Sequence, residues 1–409
     1  MAAMPRSPLA PAVIPDPPAL PGVRFAAAAA GIRYRDRLDL ALAAFAPGTA
    51  VAGLFTRSML PGHPIPWCRA CVARGRARAL LVNAGNANVF RGREGDEAVR
   101  REALAVAQAL GVAPEEVLIA STGVIGERLP VERIEAAVPT LAQALAPEGG
   151  AAFARAILTT DTFPKIAFRR IDGAGGSEAE GPLLVGIAKG SGMIAPNMAT
   201  MLAFLFTDLE LSPQTLQMLL REAAEDSFHA ITVDGDTSTS DMVLLFATGR
   251  RRAERRLRDA FARALAEVSQ ELARLVVRDG EGAEKLVEIR VRGAASDAAA
   301  RRIAMAVANS PLVKTAIAAG DANWGRVVAA VGKAGEPLEP ERVRIAFGGH
   351  EVARGGAAVP DLDEAPVAAH LAGREILLEI DVGLGPGRAR VWTCDLTHRY
   401  IDINAGYRS

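Results

Sequence analysis

The feature that most constrains this chain is an alternation. Short apolar runs closed by glycine or asparagine alternate with long amphipathic stretches. "RALLVNAGNAN" and "EVLIASTG" each read as a buried strand running into a polar loop, and "GDEAVRREALAVAQALG" between them has helical periodicity and a glycine stop. "PVERIEAAVPTLAQALAP" is another helical pattern, in which Pro139 is expected to kink or divide the helix. "SPQTLQMLLREAAEDSF" starts with Ser212 as a cap and Pro213 at the first helical position. "DMVLLFATG" and "KLVEIRVRG" read as strands and "ERRLRDAFARALAEVSQELARLVVRDG" as one long helix. "SDAAARRIAMAVANSPLVKTAIAAG" reads as two helices broken at Ser310-Pro311. Four strand candidates close the chain: "VRIAFGG", "EILLEIDVG", "ARVWTCDLT" and "YIDINAG". The polar interruption "DGAGGSEAEGP", Asp172 to Pro182, reads as an exposed hairpin or loop. A mixed α/β body follows, and 409 residues suffice for one large core or two to three smaller ones.

Charge excludes some partners. Basic and acidic residues balance at 47 each, so no global field favours nucleic acid or an anionic membrane. The start, "MAAMPRSPLAPAVIPDPPALPG", lacks the apolar core of a secretion signal, and its prolines favour an extended arm over residues 1–22. No apolar run approaches the roughly 18 residues a membrane span needs, so a cytoplasmic protein is the default expectation. Cys68 and Cys71 in "CRAC" have redox or half-zinc spacing. The five histidines supply no matching ligand pair, and two prolines precede the motif where a redox site would have a strand. A packing role is the better expectation, with no bound metal or cofactor.

Chemistry concentrates where strands end. "KGSGMIAPNMATMLAFLFTD", Lys189 to Asp208, joins a glycine-rich approach to an apolar strand that carries one hydroxyl near its start, Thr200. Ser121-Thr122-Gly123 ends another apolar strand with a hydroxyl and a glycine amide, groups able to donate to an oxyanion, though taken alone a simple turn is the better account. "TTDTFPK" gathers Thr159, Thr160, Asp161, Thr162 and Lys165, as caps or as ligands. "TVDGDTSTSD" fails as a calcium loop, because Thr239 stands where glycine is required and Leu245 where glutamate is, so a turn rich in aspartate is expected. Glu281, in "RDGEGAEK", is either a surface residue or a carboxylate for a cationic ligand. "GLGPGRAR" lacks the lysine and hydroxyl of a phosphate loop. With no serine elbow and no histidine placed as a base, a threonine can still act as nucleophile if its own α-amine is freed by chain cleavage. Such an amine has a pKa of about 7.7–8.0, close to working pH.

The ordered motifs "AAGIRYRDRLDLAL", "VNAGNAN", "ASTGVIGE", "TTDTFPK", "KGSGMIAPNMATML", "TVDGDTSTSD", "DGEGAEK", "ANSPLVKTAIAAGDANWGR", "CDLT" and "INAGYRS" closely resemble the ornithine acetyltransferase family over nearly the whole chain. The resemblance implies a precursor cut between Ala199 and Thr200, giving an α chain of residues 23–199 behind the arm and a β chain of 200–409. The two would stay together as one intertwined α/β sandwich of sheets and helices of the self-cleaving N-terminal-threonine type. Thr200 would be the nucleophile and its amine the base, with Thr122 and Gly123 as the oxyanion hole. Thr162, Lys189, Glu281, Asn404 and Ser409 match substrate-binding positions, the choice among Thr159, Thr160 and Thr162 staying open. The implied reaction moves an acetyl group from N-acetylornithine to glutamate through an acetyl-threonine in arginine biosynthesis. The usual assembly is α2β2, and acetyl-CoA as a second donor is left open. Two departures, Gly406 where an acidic residue is common and Glu284 where threonine is common, bear on substrate affinity. The nearest rival keeps the nucleophile but uses water as acceptor, as an aminopeptidase or amidase.

Overall fold

Five phenylalanines explain how the larger part of the chain is layered. Phe25 and Phe45 come from one sheet and Phe204, Phe206 and Phe246 from another, and the rings meet between them: Phe25 lies edge-on to Phe206 at 5.3 Å, and Phe45 stacks on Phe246 at 4.4 Å. Such pairs add about 0.5–1.5 kcal/mol each beyond the area they bury. The computed structural model describes residues 5–171, 181–195 and 201–406. These fall into two compact units, one of residues 11–229 and 236–276 and one of residues 5–10, 230–235 and 277–406.

In the larger unit, strands β1 (Val23–Ala28), β2 (Leu40–Phe45), β4 (Ala79–Asn86) and β5 (Val117–Val124) form a sheet in the order β1-β2-β4-β5. Strands β3 (Ala50–Phe55), β6 (Lys165–Arg170), β7 (Leu183–Lys189), β8 (Leu202–Glu210) and β9 (Met242–Arg252) form the second sheet, in the order β3-β9-β8-β7-β6. These strands are buried along most of their length, which is why they read as continuous apolar runs rather than as alternating ones. Helices α2 (Gly92–Leu110) and α3 (Val131–Gln143) cover the outer face of the first sheet through Val99, Ala103, Val106, Ile134 and Val138. Helices α5 (Pro213–Glu225) and α6 (Arg255–Arg278) serve the second. Leu272 and Val268 of α6 press so close over Gly186 that a Cβ there would lie 2.6 Å from Leu272 Cδ1. The result is four layers, helices–sheet–sheet–helices, with both inner sheet faces dry.

Helices α1 (Pro64–Ala73) and α4 (Gly150–Ala156) close the open edges of the sandwich, Cys68, Cys71 and Phe153 reaching its core. This settles the role of "CRAC". β5 is an edge strand whose backbone groups need partners. Trp67 Nε1 donates to the Val117 carbonyl at 2.9 Å, Cys68 Sγ donates to the Ile119 carbonyl at 3.1 Å, and the Ile119 N–H returns to Cys68 Sγ at 3.3 Å. All three cysteines are buried free thiols.

The smaller unit carries a six-stranded sheet in the order β13-β12-β11-β14-β10-β15, comprising β10 (Leu286–Ala294), β11 (Arg344–Phe347), β12 (His350–Arg354), β13 (Ala357–Ala358), β14 (Glu375–Asp381) and β15 (Gly387–Cys394). Only β10 and β14 pair in parallel among the ladders of this sheet. Helices α7 (Asp297–Ala308), α8 (Pro311–Ala318), α9 (Trp324–Gly332) and α10 (Glu364–Leu371) contribute Ala300, Ile303, Val307, Val313, Val327 and Val367 to one core with Ile289, Leu378 and Ile380. Ser296 and Ser310 cap α7 and α8, so the break expected at Ser310-Pro311 is a cap followed by a proline start.

Two expectations differ from the structure. "YIDINAG" is helix α11 (His398–Ala405), not a strand. Its alternating isoleucines mimic a strand, but Thr397 caps it by accepting from the Arg399 N–H, and Ile401 is left exposed. Pro139 does not divide α3. It lies on the exposed side of the helix, so the carbonyl of Glu135 that loses its partner is on the face turned toward water. Residues 172–180 of the expected exposed loop, and Ala199, Thr200 and Ser409, lie outside the described residues. Segments before and after the implied cleavage point share one sheet, Lys189 of β7 pairing with Leu202 of β8. No helix among the described residues is long and apolar enough to cross a membrane.

Candidate active site

Strand polarity puts the chemistry of the larger unit at one end of the sandwich. β7 ends at Lys189, and the parallel strands β8 and β9 begin beside it, Leu202 opposite Met242. In the other sheet, β4 and β5 run parallel and end at Asn86 and Val124. The two sheets are joined at these ends: Lys189 Nζ donates to Thr122 Oγ1 at 3.2 Å and to Thr159 Oγ1 at 2.7 Å. Thr122 and Lys189 are both buried.

Gly123 is demanded by geometry. Its φ is +131°, and a Cβ would stand 2.3 Å from the carbonyl carbon of Gly85 and 2.6 Å from the Asn86 nitrogen. The register slips here, Asn86 facing both Thr122 and Val124. Asparagine side chains take up the backbone groups this leaves: Asn83 Nδ2 donates to the Asn86 carbonyl at 2.8 Å, and Asn86 Oδ1 accepts the Asn88 N–H at 2.8 Å. That gives "VNAGNAN" a function of its own, as the support for the bulge. The Ala30 and Ile32 amides donate to Asp39 at 2.7 and 2.6 Å, shaping the loop that lays Tyr34 against Gly85. From the same loop Arg37 donates to the Leu158 carbonyl at 2.6 Å, pinning the start of "TTDTFPK".

Asp161 organises that segment. Its side chain is inaccessible to solvent and lies 2.5 Å from Lys165 Nζ and 3.7 Å from Lys189 Nζ, both lysines being buried as well. The Gly190 N–H donates to Oδ1 at 2.7 Å and the Thr159 N–H to Oδ2 at 3.1 Å. Burial alone would push this carboxyl up, but the two ammonium groups and the Gly190 amide outweigh it and hold the group well below the usual carboxylate range. Asp161 thus lies between two buried lysines at the strand ends. Thr160 Oγ1 is 2.6 Å from Ser191 Oγ, tying the segment to the glycine-rich approach. Thr159 is thus one threonine of this segment joined to Lys189.

The smaller unit holds Glu281 and Asn404. Asn404 Nδ2 donates to Glu281 Oε2 at 2.8 Å, so α11 and the turn after α6 are brought together. Gly282, with φ +76°, packs against the first turn of α11, where a Cβ would lie 2.6 Å from the Tyr400 nitrogen, and Thr397 Oγ1 donates to its carbonyl at 2.7 Å. Misreading this segment as a strand hid the pairing, which an α-helix alone permits. Asp161 was noted only as one member of a polar cluster and Asp241 only as the end of an aspartate-rich turn, because nothing local distinguishes them from solvated acids. No cluster of metal-ligating side chains occurs among the described residues.

A model of the ArgJ family matches residues 24–409. The "Arginine biosynthesis bifunctional protein ArgJ" of Gluconobacter oxydans is 54% identical over 99% of this chain and 96% of its own length. Its namesake in Bradyrhizobium diazoefficiens is 52% identical over 98% and 99%. A crystal structure of arginine biosynthesis bifunctional protein argJ from Bacillus halodurans aligns with 50% of this chain and 98% of its own, at 38% identity and a TM-score of 0.47.

Proposed function

The chain belongs to the ArgJ family, and from that premise we propose how its residues divide the work. Membership makes it an acyltransferase of arginine biosynthesis. In the proposed cycle the chain is cut between Ala199 and Thr200, and Thr200 then attacks the acetyl carbonyl of N-acetylornithine, its own amine taking the hydroxyl proton. The Thr122 hydroxyl and Gly123 amide donate to the oxyanion as it forms. Ornithine leaves with that proton, and the amine of glutamate takes the acetyl group from the threonine oxygen.

The observation that carries this reading is the meeting of Lys189 with Thr122 and Thr159 at the strand ends, 3.2 and 2.7 Å away, beside the strand that opens just after residue 200. The buried lysine both polarises the Thr122 hydroxyl and offers a cation to an anionic group of the substrate. The two buried lysines, Lys165 and Lys189, favour an oxyanion or a carboxylate over an ammonium. We assign the substrate contact of the "TTDT" segment to Thr159 in preference to Thr162. In the smaller unit Glu281, held by Asn404, is the proposed acceptor for a substrate ammonium, and Ser409 a further substrate contact. The α2β2 assembly, a cytoplasmic location and acetyl-CoA as a second donor belong to the same proposal, with no resident cofactor.

The test is ornithine release from N-acetylornithine with and without glutamate. Release that requires glutamate and matches the acetylglutamate formed supports the transferase. Release at the same rate without glutamate favours the amidase with water as acceptor.

A further inference from the structure

Asp241, immediately before β9, has no part in the reaction above, yet it is fully buried, and one of its carboxyl oxygens touches the segment that matters most. The Met201 N–H donates to Asp241 Oδ1 at 2.9 Å. That nitrogen belongs to the peptide bond joining residue 200 to residue 201. The Met201 carbonyl in turn accepts the Met242 N–H at 3.1 Å, so both polar backbone groups of Met201 are tied to the start of β9. Asp241 is itself fixed, its own carbonyl accepting the Thr56 N–H at 3.0 Å. The second carboxyl oxygen, Oδ2, is buried with no hydrogen-bond partner among the described residues.

We propose that Asp241 is a positioning residue for the nucleophile, holding the amide that follows Thr200 so that the hydroxyl is presented correctly in chain cleavage and in acyl transfer. The proposal rests on the reading of Thr200 as nucleophile. Consecutive Cα atoms are about 3.8 Å apart, so an anchored Met201 leaves the freed residue only its own torsions to search. Burial pushes the Asp241 carboxyl well above its usual range, against the opposing pull of the Met201 hydrogen bond and the Lys189 charge. The neutral acid suits the site. A neutral acid accepts the Met201 N–H at one oxygen and keeps its proton on the other.

Three variants test this by intact mass, for the extent of cleavage, and by steady-state kinetics of acetyl transfer. Asp241→Ala removes the anchor and is expected to slow cleavage and lower kcat by about 100-fold, as a misplacement on the order of 1 Å does, with KM changed less than about threefold. Asp241→Asn copies the neutral acid and is expected to keep cleavage and most of kcat. Asp241→Ser retains polarity but cannot span to Met201, and should behave like alanine if the alanine variant fails to fold. Wild-type cleavage and kcat in both Asp241→Ala and Asp241→Ser would overturn the proposal, and so would an asparagine variant as impaired as the alanine. Thr200→Ala separates the premise: two chains from that variant would sink the nucleophile reading whatever Asp241 does.

Discussion

Replacing Asp161 by asparagine is the perturbation whose cost the structure states most directly. The carboxylate and the Lys165 side chain are completely inaccessible to solvent and Lys189 is 3% exposed, with nitrogens at 2.5 and 3.7 Å. Asparagine keeps the shape and an acceptor for only one of the Gly190 and Thr159 amides, which donate to different oxygens, and it removes the negative charge beside two buried ammonium groups. Breaking a buried ion pair from one side costs about 3–5 kcal/mol, a large fraction of the ~5–15 kcal/mol that holds a domain together. Urea unfolding at pH 7 should therefore show a much lower midpoint. Adding Lys165→Met should recover at least half of the loss, a coupling a double-mutant cycle measures directly. The pH dependence has a definite sign. The folded carboxyl is depressed, so its contribution is complete above the unfolded value of about 3.9 and is lost as pH falls from there toward the folded value. The asparagine variant should lack that acid-side loss. An unfolding free energy within about 1 kcal/mol of wild type at pH 7 would refute the idea that the carboxylate neutralises the pair.

Other sites give independent checks. Gly123→Ala should abolish turnover, because its Cβ would overlap the Gly85 backbone at 2.3 Å; kcat within about tenfold of wild type would show that the bulge can move without harm. Cys68→Ser with Cys71→Ser should leave kcat unchanged while costing about 1–3 kcal/mol in thermal unfolding, as hydroxyls replace apolar thiols in the core. In the native protein these thiols should resist alkylation at pH 8, since burial pushes Cys71 up to about 11 and Cys68 higher still. Glu102 is buried on α2, neither carboxyl oxygen having a partner among the described residues, and burial pushes it up to about 8. Its folded value lies above the unfolded one of about 4.3, so it should remove stability as pH rises from there to about 8. Glu102→Gln should flatten that decline and raise the melting temperature at pH 8 but not at pH 5.

Residues with a local signature were readable from the sequence and residues defined by what folds over them were not. Ser212 and Pro213 announce α5, and Ser212 accepts the Thr215 N–H as a cap should. β8 and β9 show themselves as unbroken apolar runs because both faces of their sheet are covered. The hydroxyl and glycine of Thr122-Gly123 were noticeable as a strand ending, though only the 2.3 Å approach of Gly85 shows why glycine is required. Asp161 and Asp241 look like any acid in a polar turn until β7, β8 and β9 close around them. α11 was misread because the spacing of Ile401 and Ile403 fits a strand, and no buried face exists to impose helical periodicity. "CRAC" was rightly read as packing, but its edge-strand bonds to Ile119 and Val117 depend on a sheet order no local pattern encodes.

The central claim is that Thr200 becomes an N-terminus and acts as the nucleophile, and the mass of the purified, active protein under denaturing conditions tests it most directly. Two chains, the second beginning at Thr200 and ending at Ser409, are the expected result, with Thr200→Ala giving one uncut, inactive chain. A single chain of 409 residues in a fully active preparation would contradict it, because the amine proposed as the base would then be locked in a peptide bond.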